Sequence, residues 1–357
     1  MYSIWCNDDV LADDTGEVKQ CFMSAVLTEE INSAGKLVFT LSPKHNKRFI
    51  PSPLGGGLIR VFRKGVEDWR GRVVQIDVDY YGSRTYTCEG ALAFLNDIYF
   101  PPNAQLFAGE RVYFSDMIKA YNDRCSAIFS LELAPNTGNS YVLTNTLDPN
   151  EPRNAKKLLE GMAATKSFFS VVHADSISLR GYNNGDVCAQ PCIVGWNISN
   201  AKIKIDASSV YTYAYAYGTY TPPGADSQYA ETFGRSRGAD VYGRIERPID
   251  LGDYGTTKDG WIAYAKGALE DQVLPGDNAV ADVEITASAF DMAIARDDME
   301  PFSVGKMAHI AIPTMDIDED MLITAIRTDL NSPERSTLTL GSTRKKLLSN
   351  RLEARYG

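Results

Sequence analysis

The chain has 357 residues, 44% of them hydrophobic, 23% charged and 10% aromatic. That is too long for one ordinary domain and too apolar for a disordered chain. The net charge of −10 and the lack of any Lys/Arg block weigh against a nucleic-acid or anionic-membrane binder.

Residues 21–97 read as consecutive antiparallel strands. Phe22–Leu27 and Leu37–Leu41 flank a turn at Asn32-Ser33-Ala34-Gly35, and a Pro/Gly loop over 51–57 leads into Leu58–Arg63. Lys64-Gly65 turns the chain. Val74, Ile76, Val78 and Tyr80 then alternate with Gln75, Asp77 and Asp79, which predicts one buried and one wet face. Tyr81-Gly82-Ser83 turns into Arg84–Cys88, and a short helix over Ala91–Asn96 closes a small barrel or sandwich. Gly71 and Gly90 sit where a strand bends or meets a helix, so both read as backbone-critical.

The period then changes. Met117, Ile118, Tyr121 and Cys125 follow helical spacing behind a candidate Ser115 cap, as do Ala155, Leu158, Leu159 and Met162 behind Asn154. With strands at Tyr141–Leu143, Phe168–Val172 and Ile177–Leu179, residues 98–183 form an α+β unit. Strands return at Ile203–Asp206 and Ser209–Tyr217, where Tyr211, Tyr213, Tyr215 and Tyr217 alternate with small residues and suggest an aromatic row against a strand or a subunit. A polar excursion follows. It holds Arg244-Ile245-Glu246-Arg247 and a helix carrying Trp261, Ala265, Ala268 and Leu269 behind Asp259. After Leu274-Pro275-Gly276-Asp277, strands resume at Val280–Ala287, Met307–Ile312, Met321–Arg327 and Ser336–Leu340, before a basic tail at Arg344-Lys345-Lys346-Leu347-Leu348. The pattern is β, α+β, then β interrupted by an insertion, and the two β parts look like copies of one design.

No segment carries an evident catalytic constellation. Histidines stand at 45, 173 and 309, and no G-x-S-x-G elbow occurs. Gly55-Gly56-Gly57 lacks the Gly-Lys-Ser/Thr end of a P-loop. Asp316-Ile317-Asp318-Glu319-Asp320 reads as a solvated hairpin tip, with a Ca²⁺ loop as the alternative; the Gly of an EF-hand is missing. The six cysteines are scattered apart from Cys188-x-x-x-Cys192, which fits neither a zinc ribbon nor a CxxC site; reduced thiols are the default and a local disulfide or half a metal site the alternative. No cofactor or metal site is expected. The start Met1-Tyr2-Ser3-Ile4-Trp5 is not a signal peptide, and no apolar run approaches the ~20 residues of a membrane span. A soluble protein without a membrane anchor, made in a cytoplasm, is expected.

Several short motifs, in this order, resemble one family. Gly71-Arg72-Val73, Cys88-Glu89-Gly90 and Phe94-Leu95-x-Asp97 look like the first barrel of the siphophage tail-tip hub, in the tail-associated lysin or prophage tail endopeptidase family. Tyr242-x-Arg244-Ile245-Glu246-Arg247 resembles the segment before that family's last helix. Pro301-Phe302-x-Val304-Gly305, Asp329-x-x-x-Pro333 and Leu340-Gly341 resemble its closing barrel.

The resemblance implies a mainly β fold with two related antiparallel β-barrel domains, at 1–97 and at 184–218 with 278–344, and two peripheral α+β domains, at 98–183 and 219–277, before a tail at 345–357. It further implies a homotrimeric ring at a virion tail tip or baseplate. Such a ring joins the tail tube and distal tail protein to the tape measure protein and the tip or receptor-binding proteins, and DNA passes through it without stable binding. Asp77, Asp79, Asp282 and Glu284 are candidates to face the channel, with outer solvent as the plain alternative. Arg244, Glu246, Arg247, Tyr211, Tyr213 and Tyr215 are candidates for a subunit interface, with an exposed strand and an ordinary sheet face as alternatives. Many relatives continue into a peptidase, glycosidase or receptor-binding region and this chain stops after the hub, so no enzymatic activity is expected. A tail-associated cell-wall hydrolase and a carbohydrate-binding β-sandwich adhesin are the competing functions.

Overall fold

The computed structural model describes residues 2–13, 21–45, 57–101, 104–125, 129–134, 141–143, 153–166, 168–181, 188, 190–206, 211–224, 229–236, 243–253, 255–273 and 282–341. The expected tail at 344–348, most of the 51–57 loop, Ser209, the 274–277 segment and the side chains of Cys125 and Asp282 lie outside the described residues. The chain forms two compact units. The first holds Met1–Ala201 and Thr286–Leu340, and the second is built on Lys202–Ile285.

The first unit opens with β1 (Tyr2–Cys6), β2 (Asp9–Asp13), β3 (Phe22–Glu30), β4 (Lys36–Leu41), β5 (Leu58–Arg63), β6 (Val66–Val78) and β7 (Arg84–Gly90). They pair antiparallel in the order β3-β4-β7-β6-β5-β1-β2. Period-two burial drives this: Leu37, Phe39 and Leu41 on β4 and Ile59 and Val61 on β5 point into one core with Ile4, Phe22, Leu27, Trp69, Tyr86 and Cys88. Each such side chain contributes about 1.5–3 kcal/mol on burial. The alternation expected along β6 ends early. A register shift between Val73 and Gln75 breaks it, and Val78 and Tyr80 are 59% and 96% exposed. The bulge shifts the inward phase by one residue, so Ile76 still packs against the core, and the strand then runs past it to solvent.

A helix α1 (Ala91–Phe94), continued by a 3₁₀ turn through Asp97, leads into a second core. Here the short strands β8 (Tyr99–Phe100), β9 (Arg111–Tyr113), β10 (Ser130–Leu133), β11 (Tyr141–Leu143), β12 (Arg153–Asn154), β13 (Phe168–Val172) and β14 (Ser176–Gly181) accompany α2 (Phe114–Cys125) and α3 (Ala155–Lys166). Phe114, Met117 and Tyr121 on α2 and Ala155, Leu158 and Leu159 on α3 pack with Phe100, Phe129, Leu131, Ile177 and Leu179. Asn154 caps α3 as expected, its Oδ1 accepting from the Lys157 N–H at 3.1 Å. Ser115 does not cap α2, which already begins at Phe114.

The chain re-enters the large sheet through β15 (Cys192–Ile193) and β16 (Ile198–Asp206), which runs on into the second unit. There β17 (Tyr213–Tyr220), β18 (Tyr229–Ser236) and β19 (Glu246–Asp253) form a separate three-stranded sheet of order β18-β17-β19. The sequence shows no sign of β18, and of β19 only the alternative of an exposed strand at Arg244–Arg247, because Gly, Pro and charged residues hide the period. Helix α4 (Lys258–Val273) packs Trp261, Ala265 and Leu269, spaced four apart, onto Ala214 and Ala216 of β17. The alanines let the helix approach. Thr257, rather than Asp259, caps it, accepting from the Gly260 N–H at 3.1 Å.

Four strands complete the set: β20 (Asp282–Ala289), β21 (Met307–Ile312), β22 (Ile317–Asp329) and β23 (Thr337–Gly341). β22 pairs with β3 from Ala325↔Glu30 to Asp329↔Val26, so N- and C-terminal strands share one curled, mainly antiparallel sheet of thirteen described strands, in which the short β15 pairs parallel to β21. Asp316 occupies the left-handed region at φ 56 just before β22. Asp318 and Asp320 stand on the strand itself, opposite Ala311 and His309, rather than at a hairpin tip.

Candidate functional site

The most heavily charged enclosed place in the first unit is where β1, β3, β5 and β6 meet the segment after β20. Arg63 ends β5 directly opposite Tyr2 in the β1–β5 register. Its guanidinium spreads between two carboxylates, with Nη2 3.1 Å from Asp68 Oδ1 and Nη1 3.1 Å from Asp291 Oδ2. Asp291 also accepts from Gln190 Nε2 at 2.7 Å and from the Ala293 N–H at 3.0 Å. Gln190 is fully buried; it donates again to the Glu300 carbonyl and accepts from the Met292 N–H. Lys64, beside Arg63 in the same turn, reaches the Ala293 carbonyl at 2.9 Å and Asp297 at 2.5 Å. The β5–β6 turn is thus tied to residues 290–298 by charge-assisted bonds.

A cavity of about 60 Å³ adjoins this network, lined by Tyr2, Glu29, Arg63, Asp68, His173 and Asp291 with apolar walls from Val171 and Ile326. That is room for roughly four water molecules. Peptide and glycan sites run to several hundred Å³. Burial pushes the Glu29 carboxyl up to about 8, with Asp68 adding to the effect and Arg63 opposing it. Burial likewise raises Asp68 against the pull of Arg63, and raises the Tyr2 hydroxyl. Burial alone would lower Arg63, but Asp68, Tyr2, Asp291 and Glu29 outweigh it and hold the guanidinium charged. Burial, then Arg180 and Lys306, bring His173 down to about 4. Apart from His173, weighed only as one of three histidines, none of these charged residues stood out in the sequence, where a polar residue near a strand end carries no signal of burial.

The expected sites fall elsewhere. Asp77 is exposed on β6, where its carboxylate accepts from Gln75 Nε2 at 3.1 and 2.9 Å. Asp79 lies past the end of β6, not on a strand face: its Oδ1 accepts from the N–H of Tyr81 at 2.9 Å and of Ser83 at 2.8 Å, ordering the turn. Hydrogen bonds from Ser83 hold that carboxyl below its usual range. Asp282 opens β20, and Glu284 is exposed there between buried Val283 and Ile285.

In the second unit the structure gathers the expected aromatic and charged residues. Arg244 lies 4.1 Å from the Tyr213 ring centroid and its Nε is 2.5 Å from Glu246 Oε1. Arg247 lies 5.3 Å from the Tyr211 ring. The four tyrosines do not form one row. Tyr211 precedes β17 and is 7% exposed within the core beside Ala214, whereas Tyr213, Tyr215 and Tyr217 project from the face opposite the alanines.

Histidine and cysteine placements are structural. His173 Nε2 sits 3.1 Å from Arg180 Nη2, and His309 lies between Asp318 (Nε2, 2.9 Å) and Asp320 (Nδ1, 3.1 Å). Cys188 and Cys192 are free, buried thiols, and burial pushes Cys192 up to about 12. Among the described residues no group of three or more His, Cys, Asp or Glu is placed to hold a metal ion, and no helix is long and apolar enough to cross a membrane.

Residues 193–350 match the family model described as prophage endopeptidase tail. The whole fold has close counterparts among solved structures. The prophage MuSo2 43 kDa tail protein from Shewanella oneidensis superposes with a TM-score of 0.65 at 13% identity, over 96% of this chain and 98% of that one. The chain resembles the prophage tail proteins. The tail protein from Neisseria meningitidis MC58 gives a TM-score of 0.64 at 15% identity, covering 96% of each chain. Prophage tail protein gp18 from Listeria monocytogenes EGD-e gives 0.59 at 14% identity, covering 99% of this chain and 98% of that one. No curated protein sequence matches. The resemblance to the prophage tail family read from the short motifs therefore holds, with the family-model match over residues 193–350 and the likeness in fold over nearly the whole chain.

Proposed function

We propose that this chain is the hub of a phage or prophage tail tip: a homotrimer whose subunits each contribute two related β-barrels to a ring through which DNA passes. In this reading the barrels lie at 1–97 and at 184–218 with 278–344, and the peripheral domains at 98–183 and 219–277. The ring sits at the tip of the virion tail between the distal tail protein, the tape measure protein and the tip or receptor-binding proteins. The observation that carries the reading is the likeness in fold to prophage tail proteins across at least 96% of the chain. A hub needs stiff walls and broad flanks rather than a cleft, and one sheet of thirteen strands supplies the first. Obligate interfaces of this kind bury about 2,000 Å² or more. Exposed acids such as Asp77 and Glu284 suit a lining that repels phosphate.

The role is structural, with no hydrolysis. The family's description names an endopeptidase, which favours a cell-wall hydrolase as the second reading. Against it, His173 and His309 are engaged by Arg180, Asp318 and Asp320. Light scattering and negative-stain imaging of the purified chain, alone and with the distal tail protein, test the hub. A three-fold ring with a hole is expected, and a strict monomer in both settings sinks it. Incubation with host cell walls should release no fragments, and release abolished by one Asp, Glu or Cys substitution would establish the hydrolase instead.

A further inference from the structure

We propose that the Arg63 cluster is a proton-operated clasp: a neutral Glu29 carboxyl beside the Asp68–Arg63–Asp291 ion network locks the β5–β6 turn onto residues 290–298, and ionising Glu29 loosens it. The charges do not balance otherwise. Three carboxylates line one small cavity with a single guanidinium. The neighbouring cations are committed elsewhere: Lys64 to Asp297 and the Ala293 carbonyl, Lys306 to Glu300, and Arg180 to His173. Arg63 divides its two arms between Asp68 and Asp291, and Asp291 gains two further donors from Gln190 and the Ala293 N–H. Glu29 has no ion-pair partner among the described residues, so the proton resides there.

The remaining titratable groups on the cavity wall do not compensate. Tyr2 from β1 keeps its proton because burial raises it. His173, after β13, stays neutral above about pH 4 through burial, Arg180 and Lys306, with Asp175 opposing. An ionised Glu29 therefore adds a further negative charge to the cavity wall without a cation of its own. Asp291, which shares Arg63 with Asp68, also caps the 3₁₀ turn over Met292–Ile294, so loosening the network bears directly on that segment.

Burial moves Glu29 from an ordinary 4.5 to about 8, and an opened site returns it toward 4.5. The closed form then holds one more proton than the open form between those values. Opening should become up to tenfold more favourable per pH unit as pH rises toward 8, and level off above it. The test is amide exchange of residues 293–296 in the full chain from pH 6.5 to 9, corrected for intrinsic rates and referenced to Val38 and Phe39 on β4. That window lies above the range in which His173 titrates with opposite sign. A rise of up to tenfold per unit that ends near pH 8, flattened in Glu29→Gln, is expected. Residues 293–296 tracking β4 at every pH would overturn the clasp, and so would a Glu29→Gln protein with an unchanged slope. If Glu29→Gln does not fold, the profile of the unaltered protein decides alone.

Discussion

Gly71 and Gly90 face each other across the β6–β7 ladder, and neither position has room for a Cβ. At Gly71 it would lie 2.2 Å from the Glu89 carbonyl oxygen and 2.4 Å from the Trp69 ring; at Gly90, 2.1 Å from the Ala34 carbonyl oxygen. The indole of Trp69 lies over this backbone and seals the first core. The two glycines are what lets the strands close on it.

Gly90→Val should therefore cost about 3 kcal/mol or more and lower the yield of folded protein. Gly65→Ala is the control. That turn residue has φ +82 but open space around it, so only backbone strain of about 1 kcal/mol is expected. Denaturant midpoints of the two variants check this; equal midpoints would refute it.

In the second unit, the Ala face of β17 sets how closely α4 approaches. Ala216→Leu should cost about 1–3 kcal/mol by overpacking against the helix. Tyr215→Leu, on the opposite face, should stay within about 1 kcal/mol. Thermal melting of both proteins distinguishes the faces.

His173 and Glu29 oppose each other on the acid side of the stability profile. Folded, His173 binds a proton only below about pH 4, whereas unfolded it does so below about 6.5. Between those values the unfolded chain holds more protons at His173, so this group lowers stability by up to about 1.4 kcal/mol per unit as pH drops from 6.5 to 4, while Glu29, raised from 4.5 to about 8 in the folded chain, acts with the opposite sign above 4.5. His173→Gln should therefore raise stability at pH 5 relative to pH 7, compared with the unaltered protein, in urea titrations. An unaltered difference between the two pH values would show that other groups carry it.

The two acids expected in the channel should behave differently. Asp77→Lys changes an exposed strand residue and should leave stability within about 0.5 kcal/mol. Asp79→Ala removes the carboxylate that orders the 79–83 turn and should lower the denaturant midpoint more than Asp77→Lys does. Asp77→Lys with Glu284→Lys, in assembled tails, should slow DNA ejection most at low salt if these residues face the channel. Ejection unchanged at every salt concentration, with the ring intact, would place them on outer solvent.

Arg244 and Glu246 form an exposed pair, worth little within one chain. Arg244→Ala with Glu246→Ala should leave the melting of the monomer within about 0.5 kcal/mol while weakening the trimer. Sedimentation across a concentration series reads the second effect, and an unweakened trimer would remove the pair from the interface.

Local pattern alone determined the strands at Leu58–Arg63 and Met307–Ile312, the strand core of β4, the two helices of the α+β segment and the Trp261 face of α4, because burial on one side of a strand or helix leaves a period that neighbouring residues report. The order of short motifs carried the likeness to tail proteins. What only the tertiary structure decided depends on residues far apart in the chain. The pairing of β3 with β22 joins the two ends into one sheet. β6 outruns the core after Ile76 and leaves Val78 and Tyr80 in solvent, Asp79 belongs to a turn, and Tyr211 leaves the tyrosine row for the core. The Glu29–Arg63–Asp68–Asp291 cluster is the extreme case. Each member is an ordinary charged residue by composition. Its chemistry arises from removal of water by segments more than two hundred residues apart, and no local period encodes that.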